Sequence, residues 1–591
     1  MALTKAYNRM IAGSTVSPFD YGAVGDGVTN DATALASAIA AADGGTVDLG
    51  GYNYLISSAV TADCPNGVNI QNGKITCNFA SQAESAVRIT TTDNLIRVTN
   101  LTLNGQDTCA KGLFLRTNGT TSTLMVSDSY FYNFLQTAAT GLAAALYINP
   151  QSSGKAFDSV QIDNCRFDNI NSSGGTEVGR GVVIKDSTHT LVTNSFFSDI
   201  GPYQDGDGIL VTDDSLTSGR RFIIDNCVFT DCQKRAIKSQ VARTRVSNII
   251  VRRRLAFTAA AGQCDVAIQR GGVINGLTCY FNNGCAPSSF INTNLYLANE
   301  PVQIRNVVLV AEDPTDIVDR VIDFSQGDDI YSLDTVVEGV YGNCKLNSLI
   351  QTTGEGFSSD PGSPSAYLFD NLIVRDVRFA NGFNPSPSAD ASTGQDSIGL
   401  FRLSRSATAY IQVRFRAYEV QIGSDNTVAT AYLSSGAGSV TYLKADLVEN
   451  LGCEGFDTST YDGTGATTYT VTYVPERIAK QFISRIASVA GDGTASIEFD
   501  VPNEGGCKVI VTYGCQDAAG TKLYTEGIVV NGGGNTDYFE TVAGDKTSTE
   551  TGTISVTTSG NNFTVAKTAG SSSLGGQLTI LIFNDGEVRE V

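Results

Sequence analysis

Three acidic residues and a few cations between Glu177 and Lys238 are the part of this 591-residue chain best equipped for chemistry. Asp205 and Asp207 lie two apart in a segment that reads as extended, so both face one way with Cα atoms roughly 6.5–7 Å apart. That is near the lower limit of the ~6.5–9.5 Å separation at which one carboxyl group protonates a glycosidic oxygen while another activates water. Glu177 offers a third carboxyl group, and a like charge nearby raises the pKa of one member, as a general acid requires. On this reading Asp205, Asp207 and Glu177 are the catalytic set. Arg180, Arg235, Lys238 and His189, the single histidine, bind substrate, and Tyr203 gives a sugar ring a surface to stack on.

These residues converge only if the chain coils. One pattern is written three times, as Val160-Gln-Ile-Asp-Asn-Cys-Arg-Phe167, Leu191-Val-Thr-Asn-Ser-Phe-Phe197 and Phe222-Ile-Ile-Asp-Asn-Cys-Val-Phe229. Each copy precedes a second short strand: Gly181-Val-Val-Ile184, Gly208-Ile-Leu-Val211 and Ala236-Ile-Lys-Ser239. One such unit cannot bury its apolar face alone, so the repeat predicts stacked coils. The marker Asn, or an Asp in its place, falls at Asn72, Asn100, Asp128, Asn164, Asn194, Asn226, Asn248, Asn275, Asn306, Asp334 and Asp376. Irregular spacing is tolerated because insertions go into outside loops. Side-chain amides stacked at a tight bend hydrogen-bond along a ladder, so these residues are assigned no chemistry. Stacking sets Arg180, Asp207 and Arg235 side by side at about 4.8 Å per coil. Asp265, opening the next strand, extends the column to plus, minus, plus, minus. Lys185, Asp213 and Asp214 are placed on the same wall. The same column also reads as a solvated salt-bridge ladder that holds register.

At the N-terminal end, Phe19-Asp-Tyr-Gly-Ala-Val-Gly-Asp-Gly-Val-Thr-Asn-Asp31 leads into an Ala/Leu/Ile run to Ala42. Gly-Asp-Gly makes a tight turn, Thr29, Asn30 and Asp31 supply a helix N-cap, and the helix covers the open first coil. This segment resembles the N-terminal motif of the pectate-lyase-like, right-handed parallel β-helix superfamily, as found in bacteriophage tailspikes. Residues 3–11 are similar to the virion-attachment leader of some of those tailspikes. The resemblance implies a homotrimer on the virion tail, made in the host cytoplasm and joined to phage baseplate or tail proteins. It implies binding and usually cleavage of a bacterial surface polysaccharide, O-antigen or capsule. No calcium-site cluster of acidic residues stands out in the sequence, and no metal or other cofactor is expected. The motif is structural, so Asp20, Asp26 and Asp31 are not site candidates.

Asp207-Gly208-Ile209 resembles part of the Asn-Thr-Asp-Gly-Ile signature of polygalacturonase-type glycosidases, and that resemblance reaches Asp207 only. The paired Asp of the next coil is replaced by Lys234-Arg235, and the later Gly-His-Gly is absent. Arg235, Lys238 and His189 also suit a lyase, which needs a base for the C5 proton of a uronate and cations for its carboxylate. No Gly-x-Ser-x-Gly elbow supports an esterase. A non-catalytic adhesin stays open, as does a site at Asp319, Asp323, Asp328 and Asp329. Phe131 and Phe167 are assigned to the core.

Forty basic against sixty acidic residues give a net charge of −20, which argues against nucleic-acid or anionic-membrane binding. Thirteen cysteines show no zinc spacing, and Cys165 and Cys227, both after the marker residue, read as reduced core side chains. No apolar run approaches ~18 residues, so no membrane insertion is expected. The chain divides into a leader at 1–17, a cap at 18–44, an all-β parallel β-helix at 45–420, an irregular connector at 421–486 with a short helical run from Arg477 to Ile486, and a C-terminal β-sandwich at 487–591 for trimerisation or carbohydrate binding.

Overall fold

The computed structural model describes residues 15–80, 84–137, 141–173, 178–201, 206–212, 220–255, 264–282, 284–294, 301–326, 335–354, 369–384, 399–404, 409–423, 430–435, 440–451, 456–462, 469–473, 481–488, 494–500, 507–516, 522–532, 536–544, 547–548, 552–559, 562–568, 576–584 and 589–590. They fall into two units, residues 1–330 with 339–346, and residues 331–338 with 347–591.

In the first unit the coils around the repeat contribute three strands each, and from Thr244 on the first two run together as one. One coil runs Phe157–Asp163, Arg166–Ser172 and Val178–Lys185; the next runs Ser187–Thr193, Phe196–Ile200 and Asp207–Thr212. Each strand pairs in parallel with its equivalent one coil on. This is a parallel β-helix, as the repeat predicts.

The bend between the first two strands is made by the marker residues. Asn72, Asn100, Asp128, Asn164, Asn194, Asn226, Asn248, Asn306 and Asp376 all have φ between 50° and 59°. This left-handed region costs most L-residues roughly 1–2 kcal/mol and suits Asn and Asp, whose short side chains bond locally. The amide of Asn226 donates to Asn194 (2.7 Å), that of Asn164 to Asp128 (2.7 Å) and that of Asn306 to Asn275 (2.7 Å). Asn194 and Asn248 instead donate to the preceding-coil carboxylates Asp163 and Asp225, both at 2.8 Å. Two marker positions need correction. The bend next to Asn275 is made by Gly276 (φ 85°), and Gly339 (φ 66°), not Asp334, stands over Asn306. Glycine reaches this region without a marker amide, so the pattern hides it. Asp334 lies outside the described residues.

A second corner follows the first by five residues. Asn133, Asn169, Asp199 and Asp231 have φ of 61°, 52°, 51° and 52°, and the Asn169 amide donates to Asn133 at 2.8 Å. Between the corners, side chains alternate in and out. The inward Phe131, Phe167, Phe197 and Phe229 stack with ring centroids 5.3, 4.8 and 4.6 Å apart, all buried. Ten cysteines, from Cys64 to Cys344, are buried free thiols, and burial pushes that of Cys165 up to about 12.

At the N-terminal end the helix Ala32–Ala41 buries Leu35, Ala38 and Ile39. Asp31 makes no side-chain cap to that helix. Its buried carboxylate instead accepts from the backbone of Val24 (2.7 Å) and Gly25 (3.0 Å), and Asn30 accepts from Ala32 (3.3 Å).

In the second unit, parallel pairing continues beyond residue 420. Gly399–Ser404, Thr430–Ser435 and Phe456–Asp462 pair in succession, as do Ala409–Ile422, Val440–Leu451 and Tyr469–Tyr473. Among the described residues, strands run through the segment expected as an irregular connector. The expected helical run is also corrected, because Gln481–Ser488 is a strand antiparallel to Gly576–Asn584. That strand joins Cys507–Gln516, Lys522–Gly532 and Thr536–Gly544 in a five-stranded sheet, and a second five-stranded sheet includes Gly552–Ser559, Asn562–Lys567 and Ala495–Asp500.

Candidate active site

The third strands of three successive coils carry the charged column. Arg180 pairs in register with Asp207, and Asp207 with Arg235. The neighbouring position must be small: a Cβ on Gly181 lies 3.0 Å from the Phe197 ring, and one on Gly208 lies 2.8 Å from that of Phe229. Asp207 Oδ2 accepts from Arg180 Nε (3.2 Å) and Oδ1 from Arg235 Nε (2.6 Å). Asp207 has no exposed surface, and the two arginine side chains are 15% and 10% exposed. Such a carboxylate presents no face to a sugar. Asp207, expected as acid or base, is here held between two guanidinium groups in register.

The column ends there. Asp265 follows Ala236 by hydrogen bonding, and its carboxylate pairs instead with Arg253, both buried. Burial raises the Asp265 pKa, opposed by Arg253. Lys238 lies on this wall, in register with Leu210, and Lys185 with Thr212. His189 does not join the column. It sits in a different sheet, between Ser159 and Arg221, with Nδ1 3.3 Å from the Asp158 carbonyl. Asp319 and Asp323 both pair with Arg320 (2.7 and 3.3 Å). Glu177, Tyr203, Asp205, Asp213, Asp214, Asp328 and Asp329 lie outside the described residues.

A second group was not singled out from sequence. Between the two corners, on the outward face, Asp168 accepts from Tyr130 Oη (3.0 Å), Arg166 (3.1 Å) and Ser198 Oγ (2.5 Å). Burial, then Asp168, push the Tyr130 phenol up to about 12. At the second corner the buried Asp231 carboxylate accepts from Arg254 at 2.7 Å. Asp199 beside it has its pKa raised by burial and then by Asp231 and Asp168. The signal in the sequence is the five-residue step from Asp128, Asn164, Asn194 and Asn226 to a second Asn or Asp.

Residues 16–252 match the family model of rhamnogalacturonase A/epimerase, pectate lyase-like. The pectate-lyase-like resemblance carried by residues 19–42 therefore extends over the coils that bear the charged column. No curated protein matches the chain. Among solved structures, it is similar to a tailspike protein from Acinetobacter baumannii bacteriophage Fri1, a capsular polysaccharide depolymerase, at 12% identity, over 98% of this chain and 88% of that one, with a TM-score of 0.28. It is similar to the tailspike of E. coli bacteriophage HK620 in complex with pentasaccharide at 9% identity, over 99% and 95%, with a TM-score of 0.34. It is also similar to an α-1,3-glucanase from Streptomyces thermodiastaticus at 14% identity, over 75% and 69%, with a TM-score of 0.40.

Proposed function

We propose that this chain is a phage tailspike that hydrolyses glycosidic bonds of a bacterial surface polysaccharide. The reading is carried by one coincidence: the match to a family named for rhamnogalacturonase covers the coils in which Arg180, Asp207, Arg235 and Lys238 form a wall. That wall brings three cations together on a chain of net charge −20, which suits an anionic glycan. Asp207 fixes the two guanidinium groups. The acid and base of a two-carboxylate mechanism then fall to Asp205, two residues before it, and Glu177, immediately before the strand Val178–Lys185. The protein acts as a homotrimer on the virion tail, and the two antiparallel sheets after residue 480 serve as a β-sandwich for trimerisation or glycan binding.

The grouping of these three cations favours one second reading, β-elimination on a uronate, in which Arg180, Arg235 and Lys238 neutralise the carboxylate. Mass analysis of products from purified capsular or O-antigen polysaccharide separates the two. Oligosaccharides heavier by one water support hydrolysis; unsaturated uronate ends support the lyase; no products leave an adhesin. For the hydrolase, Asp205→Asn and Glu177→Gln are expected to lose about 10²–10⁴-fold in rate, and an unchanged rate removes either residue from the mechanism.

A further inference from the structure

The strands between the two corners carry a second built surface that the Arg180–Asp207–Arg235 wall does not use. Register places Tyr130, Arg166 and Phe196 in one outward column, and Tyr132, Asp168 and, four coils further on, Tyr280 in the other. From Tyr132 to Tyr280 is five rungs, about 24 Å at parallel-strand spacing. Large rings stand at the surface along this length: Phe196 is 53% exposed and Tyr280 42%. The rings are held in place. Tyr130 and Tyr132 stack with centroids 4.5 Å apart, the Arg166 guanidinium lies 5.1 Å over Tyr130, and that of Arg252 lies 5.8 Å over Tyr280.

We propose that this face is a docking track for a linear polysaccharide, distinct from the charged wall. A pyranose presents a C–H face that packs on an aromatic ring and an equatorial rim of hydroxyls that bonds planar donors and acceptors. The track supplies both in alternation. Asp168 is fixed by Tyr130, Arg166 and Ser198, and Arg166, with its side chain 58% exposed, spends one of its nitrogens on Asp168. A protein partner fits less well, because the centre of a subunit interface is depleted of charge. Here charged groups stand between the rings at Arg166, Asp168 and Arg252. Its length takes an oligosaccharide segment, so the track holds polymer while the wall acts elsewhere on the same chain. The inference rests on the glycan reading above only for the class of polymer.

Affinity electrophoresis of the full-length protein through gels containing purified capsular and O-antigen polysaccharides tests it, comparing wild type with the double variant Phe196→Ala/Tyr280→Ala. Both side chains are exposed, so truncation leaves the phenylalanine stack intact. At least one polymer is expected to retard the wild type, with the double variant binding roughly tenfold more weakly and cleaving short oligosaccharides at an unchanged rate. Equal retardation of both proteins, or no retardation of wild type by any polymer, overturns the track. A fall in oligomeric state of the double variant in sedimentation velocity also overturns it, since the face is then a subunit contact. Failure of the hydrolase reading registers separately, as retardation without cleavage products.

Discussion

Asp168 and Asp207 are both carboxylates on the outside of neighbouring coils, and both are held by arginine, yet they sit at opposite ends of a scale of burial. Asp207 takes its partners from the coils before and after it, 27 and 28 residues away, and its side chain has no exposed surface. Asp168 takes its arginine from its own strand, two residues away, and keeps 21% of its side chain exposed. The first stitches three coils together. The second stays open to a ligand. Two charges taken out of water interact strongly but lose much hydration, so removing one partner of a buried group leaves the others stranded. At the surface, water and salt absorb the loss. The same residue pair on the same scaffold is structural in one setting and available for recognition in the other.

The sharpest way to break this comparison is Asp207→Ala beside Asp168→Ala. The first is expected to cost about 3–5 kcal/mol, because Arg180 and Arg235, both largely buried, lose the anion they share. The second is expected to cost about 1 kcal/mol or less. Urea unfolding measures both, and equal costs end the distinction. Next in size, Gly208→Val drives a side chain into the Phe229 ring and is expected to cost about 1–3 kcal/mol, whereas the outward Thr230→Val stays within about 0.5 kcal/mol. The smallest effect concerns Asp199. Its folded-state pKa is raised above the ordinary 3.8 by burial, with Asp231 and Asp168 adding. A raised carboxyl stabilises the fold fully below 3.8, and that contribution is lost as pH rises through the folded value. Asp199→Asn, which keeps the left-handed φ, is therefore expected to gain stability relative to wild type as pH rises through that window. A pH-independent difference between the two rejects the assignment.

Much of the coil was readable because one local rule, a left-handed bend, selects Asn and Asp and so leaves a mark at Asn164, Asn194 and Asn226. Where glycine makes the bend, at Gly276 and Gly339, the mark vanishes and the reading slips. Beyond residue 424 the Gly/Ser/Thr-rich coils carry few markers, so strands such as Val440–Leu451 passed for connector. Arg477 to Ile486 has the composition of a helix, but pairing with the apolar strand Gly576–Asn584 overrides that propensity. The order of charges from Arg180 to Arg235 was legible from spacing. Their burial was not, since it depends on what covers the wall. The ring track was missed because Tyr130, Arg166 and Phe196 lie about thirty residues apart, and only coil register unites them.

The fixed five-residue step between the two corners separates what this scaffold allows to vary from what it does not. From Asp128 to Asn133, Asn164 to Asn169, Asn194 to Asp199 and Asn226 to Asp231 the step never changes, while successive coils differ in total length. Adding a single residue inside that arm turns its phenylalanine outward and its recognition side chains inward. Lengthening a connection after the second corner leaves the arm untouched. Changes of length are thus most readily taken up in those connections, with the arm kept constant from coil to coil.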